Sequence, residues 1–155
     1  MTAKATALSA AFLAALTGIT QAGDRQYGTG ASDSEVKLGQ TVPYSGPASA
    51  FSSYGRVFTG YFQMINEAGG INGRKINVLS LDNGYSPPKA LEQTRKLVEQ
   101  DGVLADAGTV GTPPNSVIQP YLNENKIPHL YLSAGGRRFR DPKNFPLEYS
   151  SLSRI

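Results

Sequence analysis

The stretch Ala105-Asp-Ala-Gly-Thr-Val-Gly-Thr-Pro-Pro-Asn-Ser-Val-Ile118 reads as the end of a strand, a loop of small residues and the start of a helix. Leu104 to Gly108 suits a short buried strand. Gly108 and Gly111 lack a Cβ, so backbone or a ligand can approach closely there. Thr112 suits a helix N-cap with Pro113 at the first helical position, where its missing N–H costs nothing. Val117, Ile118, Tyr121 and Leu122 then repeat at helical spacing. Strand, Gly-rich turn and helix N-terminus together make an anion site, because unpaired N–H groups converge where the helix dipole is positive. The same pattern also builds ordinary βα turns.

On the C-terminal side, Lys126-Ile127-Pro128 leads into a strand over His129 to Ser133 and a Gly135-Gly136 turn; beyond Arg137 no element is evident. On the N-terminal side, Ala90, Leu91, Thr94, Leu97 and Val98 form the inner face of a helix over 88–101, with Ser86 as its cap and Pro87 in its first turn. Ile76, Val78, Leu79 and Leu81 mark a strand over 75–81, entered through the tight Asn72-Gly73 pair. Val57, Phe58, Tyr61, Phe62 and Ile65 share one face of a helix over 56–68, stopped by Gly69-Gly70. Pro43 to Pro47 is a loop, and Val36 to Val42 alternates like a strand. The order βαβαβαβ with short connections predicts a Rossmann-like, three-layer α/β lobe with a mainly parallel sheet. Ligands in such sheets sit outside the carboxyl ends of the strands. Three polar loops qualify: 43–54, 108–112 and 133–136.

The chain has 155 residues, 39% hydrophobic and 17% charged, enough for one domain that buries about 70% of its unfolded surface. A net charge of +3, with no clustered Lys/Arg interleaved with aromatics, gives no case for nucleic acid. The absence of cysteine excludes disulfides, thiolate zinc ligands, thiol catalysis and a lipid-bearing cysteine. Residues 1–22 read as a cleavable signal peptide: a weakly basic start, a short Ala/Leu-rich core and Thr20-Gln21-Ala22 before Gly23. Residues 23–34 read as a flexible leader. The mature chain is therefore expected in the periplasm, without a lipid anchor.

Nothing in the sequence assembles a catalytic, metal or cofactor site. His129, the one histidine, reads as a surface or strand-edge residue. Ser45 lies outside any Gly-x-Ser-x-Gly elbow. Asp82 and Asp106, both near strand ends, would pair only in a receiver-like domain, for which no matching Lys is evident. Tyr44, Tyr54 and Tyr85 are candidates to line an apolar pocket, whereas Tyr61 and Tyr121 fall on helix faces as core.

Several strings carry a family resemblance: Gln40-Thr-Val-Pro-Tyr-Ser-Gly-Pro-Ala48, Asn66-Glu-Ala-Gly-Gly-Ile-Asn-Gly-Arg-Lys-Ile76 and Asp82-Asn-Gly-Tyr-Ser-Pro-Pro-Lys89. Glu92 to Asp101 and Gly111-Thr-Pro-Pro-Asn-Ser116 extend it. Over roughly 35–146 the chain resembles the periplasmic substrate-binding proteins of branched-chain amino acid ABC transporters, the Leu/Ile/Val-binding type. The resemblance implies the first of two α/β lobes that close on a ligand. It implies that Thr112, Ser133, Ala134 and Gly135 hold the carboxylate of a branched-chain or other apolar amino acid. Tyr44, Ser45 and Gly46 flank the pocket. With Thr109 and Gly111 of the loop after the third strand, these nine residues are the candidate ligand-binding set. Gly135 stands near a position where the family's amino acid binders often carry Thr.

The resemblance further implies an ABC permease as partner, and an amide or aromatic acid as the alternative ligand class. Residues 147–155 read as a divergent tail, and the family's second lobe lies beyond the sequence, as expected of a truncated or frameshifted gene or a fragment. Micromolar affinity requires about −8 kcal/mol. One lobe offers a few hydrogen bonds of about 0.5–3 kcal/mol each, against several kcal/mol for immobilising a ligand. The chain alone is therefore expected to bind amino acids no better than millimolar, and to be aggregation-prone or a non-binding remnant.

Overall fold

The computed structural model describes residues 26–150. The signal peptide reading, the first residues of the leader and the last residues of the tail lie outside them. Five strands, β1 (Glu35–Val42), β2 (Lys75–Asp82), β3 (Ala105–Ala107), β4 (His129–Leu132) and β5 (Glu148–Ser150), form one parallel sheet in the order β2-β1-β3-β4-β5. Three helices connect them: α1 (Ser52–Glu67), α2 (Pro87–Arg95) and α3 (Thr112–Glu124). The β1-α1-β2 connection runs to one side of β1, and the next two run to the other. Right-handed crossovers therefore put α1 on one face of the sheet and α2 and α3 on the opposite face. This is the α/β, mainly parallel lobe expected from the periodicities.

Each helix begins where its first turn is easy to form. A 3₁₀ turn, Ser49–Phe51, feeds α1, which starts four residues before the expected boundary at Arg56. Proline lies in the first turn of both α2 and α3. The expected helix over 88–101 is two segments: α2 ends at Arg95 and a π-helical turn, Lys96–Gln100, continues it. On the α2/α3 face, Ala90, Ile118 and Leu122 pack together with Leu91, Val98, Val117, Tyr121 and Ile127 around them. Tyr121, expected as core, is there partly buried.

Three expectations are corrected. The apolar stripe of α1 exists but is not core: Val57 is 71% and Tyr61 53% exposed, and Gly55 is the helix's one buried residue. Periodicity fixes which residues share a face, not what lies over it. Residues 27–34, expected as flexible, are tied down: Lys37 N–H donates to the Gly30 carbonyl, Ser32 N–H to that of Glu35, and Tyr27 to Asp33. Finally, the described residues beyond Arg137 are not without elements. Leu132, Ala134 and Phe139 form a small apolar cluster, and Glu148–Ser150 adds β5 to the sheet. A three-residue strand shows no period, so no sequence pattern announces it.

Candidate functional site

The carboxyl ends of β3 and β4 open into a cavity of about 180 Å³. Its lining is Val110, Gly111, Thr112, Ser133, Ala134 and Gly135 from the two loops, with the rings of Phe51, Tyr54 and Tyr85. The two loops are stitched together beyond the strands proper. Gly111 N–H donates to the Ser133 carbonyl at 2.9 Å, and Ser133 N–H to that of Thr109 at 2.8 Å. Gly111 is obligatory twice over. Its φ is +101°, and a Cβ there would lie 2.4 Å from the ring of Tyr85. Gly135 is the opposite case: a Cβ there would meet nothing within 4 Å.

The start of α3 departs from the sequence reading. Gly111, not Thr112, is the N-cap, and no side chain caps the helix. Thr112 is therefore the first helical residue, followed by Pro113 and Pro114, which have no N–H. Asn115 N–H turns back to the Gly111 carbonyl at 3.1 Å. The helix N-terminus thus keeps its dipole but offers a single backbone donor, that of Thr112. Among the described residues, the N–H groups of Thr112, Ala134 and Gly135 have no hydrogen-bond partner.

The other four candidates lie elsewhere. The Tyr44-Ser45-Gly46 loop wraps Asp82 at the end of β2. Asp82 Oδ1 accepts the N–H groups of Tyr44, Ser45 and Gly84; Oδ2 accepts from the Ser45 hydroxyl and from Lys89 at 2.8 Å. Partial desolvation pushes the Asp82 carboxyl up, but Lys89, Ser45 and the backbone donors outweigh it and hold it well below the usual range. The matching lysine that the sequence did not reveal is Lys89. Asp82 and Asp106 do not pair: Asp82 stands beside Val42 and Asp106 beside Gly39, on opposite sides of β1. The receiver-like arrangement is thereby excluded.

Tyr44 turns its hydroxyl away from the cavity, to Ser80 Oγ at 2.6 Å. Ser80 donates to Gln40 Oε1 at 2.8 Å, and Gln40 Nε2 donates to the Gly108 carbonyl at 2.9 Å. Tyr44 thus reaches the loop after β3 through a chain of neutral groups. Thr109, 1% exposed, also faces inward. Its hydroxyl contacts Asn115 Oδ1 at 2.6 Å and His129 Nε2 at 2.8 Å. His129 is accordingly not a surface residue: it is 3% exposed, under a sheet face closed by β5 and α3.

Of the aromatic lining, Tyr54 and Tyr85 were anticipated and Phe51 was not. The one signal for Phe51 was its place three residues before Tyr54. Their rings lie 6.3 Å apart at 55°. The cavity lining therefore combines one unpaired N–H at a helix N-terminus, two more after β4, and aromatic surface. That combination suits a small molecule with one anionic and one apolar end.

Comparisons with known proteins agree with this architecture. A family model described as periplasmic binding protein matches residues 35–153. The matched region therefore runs past residue 146, where the sequence reading placed a divergent tail. An amino acid binding protein of Pseudomonas aeruginosa is 35% identical over 75 residues, which are 48% of this chain and 20% of that protein. Among solved structures, a possible leucine/isoleucine/valine-binding protein from Rhodopirellula baltica aligns with a TM-score of 0.66 and 24% identity, over 73% of this chain and 31% of that one. The branched-chain amino acid transporter substrate binding protein LivJ from Streptococcus pneumoniae, solved with isoleucine, aligns with a TM-score of 0.62 and 27% identity, over 66% of this chain and 30% of that one. This chain spans 20% of the curated relative and 31% and 30% of the two structures. Such relatives are solute-binding proteins, not enzymes.

Proposed function

We propose, from the premise that this chain belongs to the periplasmic binding protein family, that it is the carboxylate-binding lobe of an ABC transporter's solute-binding component. Its solute is an amino acid with a branched or otherwise apolar side chain, delivered to a membrane permease. The observation that carries this reading is the mixed cavity lining: the unpaired N–H groups of Thr112, Ala134 and Gly135 together with the rings of Phe51, Tyr54 and Tyr85.

Donor number narrows the anion. Pro113 and Pro114 leave one backbone donor at the start of α3, so the site has few directional bonds to give. A carboxylate, with two oxygens, is matched by the Thr112, Ala134 and Gly135 N–H groups and the Thr112 and Ser133 hydroxyls. The dipole of α3 adds about 0.3–1 kcal/mol at an exposed site, up to about 2 when partly buried. The three rings favour a second ligand class, aromatic acids, which would stack where an aliphatic side chain only fills space. Tyr44, Ser45, Gly46 and Thr109 act in this reading by holding the loops, not by touching the solute. Export follows the signal peptide at residues 1–22, and N-terminal sequencing of the secreted product is expected to begin near Gly23.

The test is an amide NMR titration with leucine, valine, phenylalanine and benzoate, a method that reads millimolar binding. Shifts focused on Thr112, Ala134 and Gly135, and weakened by Thr112→Ala, are expected. Saturating shifts elsewhere, or affinity unchanged by Thr112→Ala, would overturn the placement. The ranking of benzoate against leucine decides between the two ligand classes.

A further inference from the structure

Asp106 of β3, His129 of β4 and Glu148 of β5 stand abreast, since the register pairs Asp106 with His129 and His129 with Glu148. Residues abreast in a parallel sheet project from the same face, and Thr94 of α2 and Asn115 of α3 show which face this is. The row is buried: Asp106 is 0% exposed, and the side chains of His129 and Glu148 are 3% and 5% exposed. Nothing in the proposed carboxylate site touches these three groups directly.

The hydrogens of the chain that starts here can be assigned from its partners. Asn115 Nδ2 donates to the Gly111 carbonyl at 2.8 Å, which turns Asn115 Oδ1 toward Thr109. Oδ1 only accepts, so the single hydroxyl hydrogen of Thr109 points to it. Thr109 Oγ1 must then accept from His129, and Nε2 must carry a hydrogen. In a neutral imidazole Nδ1 would then be a bare lone pair. Nδ1 faces Glu148 Oε2 at 3.6 Å, and a bare lone pair against a carboxylate in a buried site is repulsive. A further proton belongs between them.

We propose that His129 is a positioning residue for the cavity rim: a proton shared by Nδ1 and Glu148 holds Nε2–H on Thr109, and through Thr109 and Asn115 fixes the Gly111 carbonyl beside Thr112. Loss of that proton draws the remaining ring hydrogen to Nδ1, toward the carboxylate. Nε2 becomes an acceptor, Thr109 turns its hydroxyl hydrogen to it, and Asn115 Oδ1 loses its donor. The Asn115 amide then has one anchor instead of two, and the Gly111–Thr112 turn loosens. The ionisable groups facing His129 are Asp106 from β3 and Glu148 from β5. From α3, Gln119, Leu122 and Asn123 line a small cavity with His129, Asn115 is reached through Thr109, and Arg138 is one step away on Gln119 Oε1 at 3.1 Å. Burial pushes the Asp106 carboxyl up to about 6 against the pull of His129, which favours a row that retains protons.

The single histidine makes the test direct. Imidazole ¹H–¹⁵N spectra of the labelled chain across a pH series report each ring nitrogen, and the Gly111 and Thr112 amides are followed in the same samples. Nε2 protonated at neutral pH is expected, with the two amides shifting at the pH where the ring loses its proton. An unprotonated Nε2 at neutral pH, or amides that ignore the ring's titration, would overturn the proposal. In Glu148→Gln the carboxamide can donate to Nδ1 permanently, so the coupled shift of Gly111 and Thr112 is expected to vanish. Its persistence in that variant counts against the proposal. The consequence for ligand capture rests on the functional reading above, but no ligand enters these spectra. A failure of amino acid binding would therefore sink that reading and leave this one standing.

Discussion

Two hydrogen-bond chains reach the loop after β3 from opposite sides, and they are built from different chemistry. From the β1–β2 side run Tyr44, Ser80, Gln40 and the Gly108 carbonyl, none of them ionised at neutral pH. From the β4–β5 side run Glu148, His129, Thr109, Asn115 and the Gly111 carbonyl. Both fix a carbonyl of the same short loop. The first has a defined donor and acceptor at every link among uncharged groups. The second depends on a proton. Support and adjustability are thus divided between the two flanks of one loop.

The largest effect is expected from breaking the ionisable chain in its middle. Thr109→Val keeps the shape and removes the hydroxyl, leaving Asn115 Oδ1 and His129 Nε2–H buried without partners. At about 1–3 kcal/mol for each of the two groups, the loss of stability should be about 2–6 kcal/mol, read as a shift in urea midpoint. Gln40→Leu breaks the neutral chain at its one fully buried side chain and should cost about 1–3 kcal/mol. Its cost is expected to be the same at mildly acidic and alkaline pH, whereas that of Thr109→Val should vary.

A smaller effect separates the two flanks of β1 by pH alone, through their buried and bridged carboxylates. The Asp106 carboxyl has a raised value in the folded chain, about 6 against 3.8. The folded state therefore takes up its proton first. The stabilising effect of that proton is complete below 3.8 and is lost as pH rises through about 6. Urea midpoints should climb between those limits on acidification, and Asp106→Asn should flatten the climb. Asp82, lowered by its partners, contributes with the opposite sign: its stabilisation is present above 3.8 and fades below it. The smallest effect is expected at the cavity itself. Gly135→Ser places a hydroxyl where a Cβ meets no atom, so stability should stay within about 0.5 kcal/mol of the parent. Affinity for a carboxylate ligand, read by the same amide titration, should rise.

The parts of this lobe that the sequence disclosed are those set by local periodicity and by strand ends. Four strands, three helices and the meeting of Gly111, Thr112, Ser133, Ala134 and Gly135 all follow from the order of elements and from where loops fall in a parallel sheet. What stayed hidden depends on partners distant in sequence. Thr109 and Thr112 look alike in a run of small residues, yet register turns one into the interior and leaves the other at the rim. His129 read as an edge residue because the strand after it has three residues and no pattern; once β5 is in place, β4 is no longer an edge. Tyr44 read as lining because its loop does line the sheet end, but Ser80, 36 residues on, turns its hydroxyl aside. The α1 stripe was visible, and its exposure was not.

The strand order also fixes a schedule. β1 is made first, yet it lies between β2 and β3 and cannot be completed until both exist. Its β2 partner at Lys75 comes 40 residues after Glu35 (75 − 35), and its β3 partner at Ala105 comes 67 after Leu38 (105 − 38). A chain synthesised from its N-terminus can close the β1–β2 pair early. Asp106 would then stand in water with an ordinary acidity until His129 and finally Glu148 emerge beside it. Closure of this row accordingly comes later than the β1–β2 pair, and the row gathers its protons only once Glu148 stands beside His129.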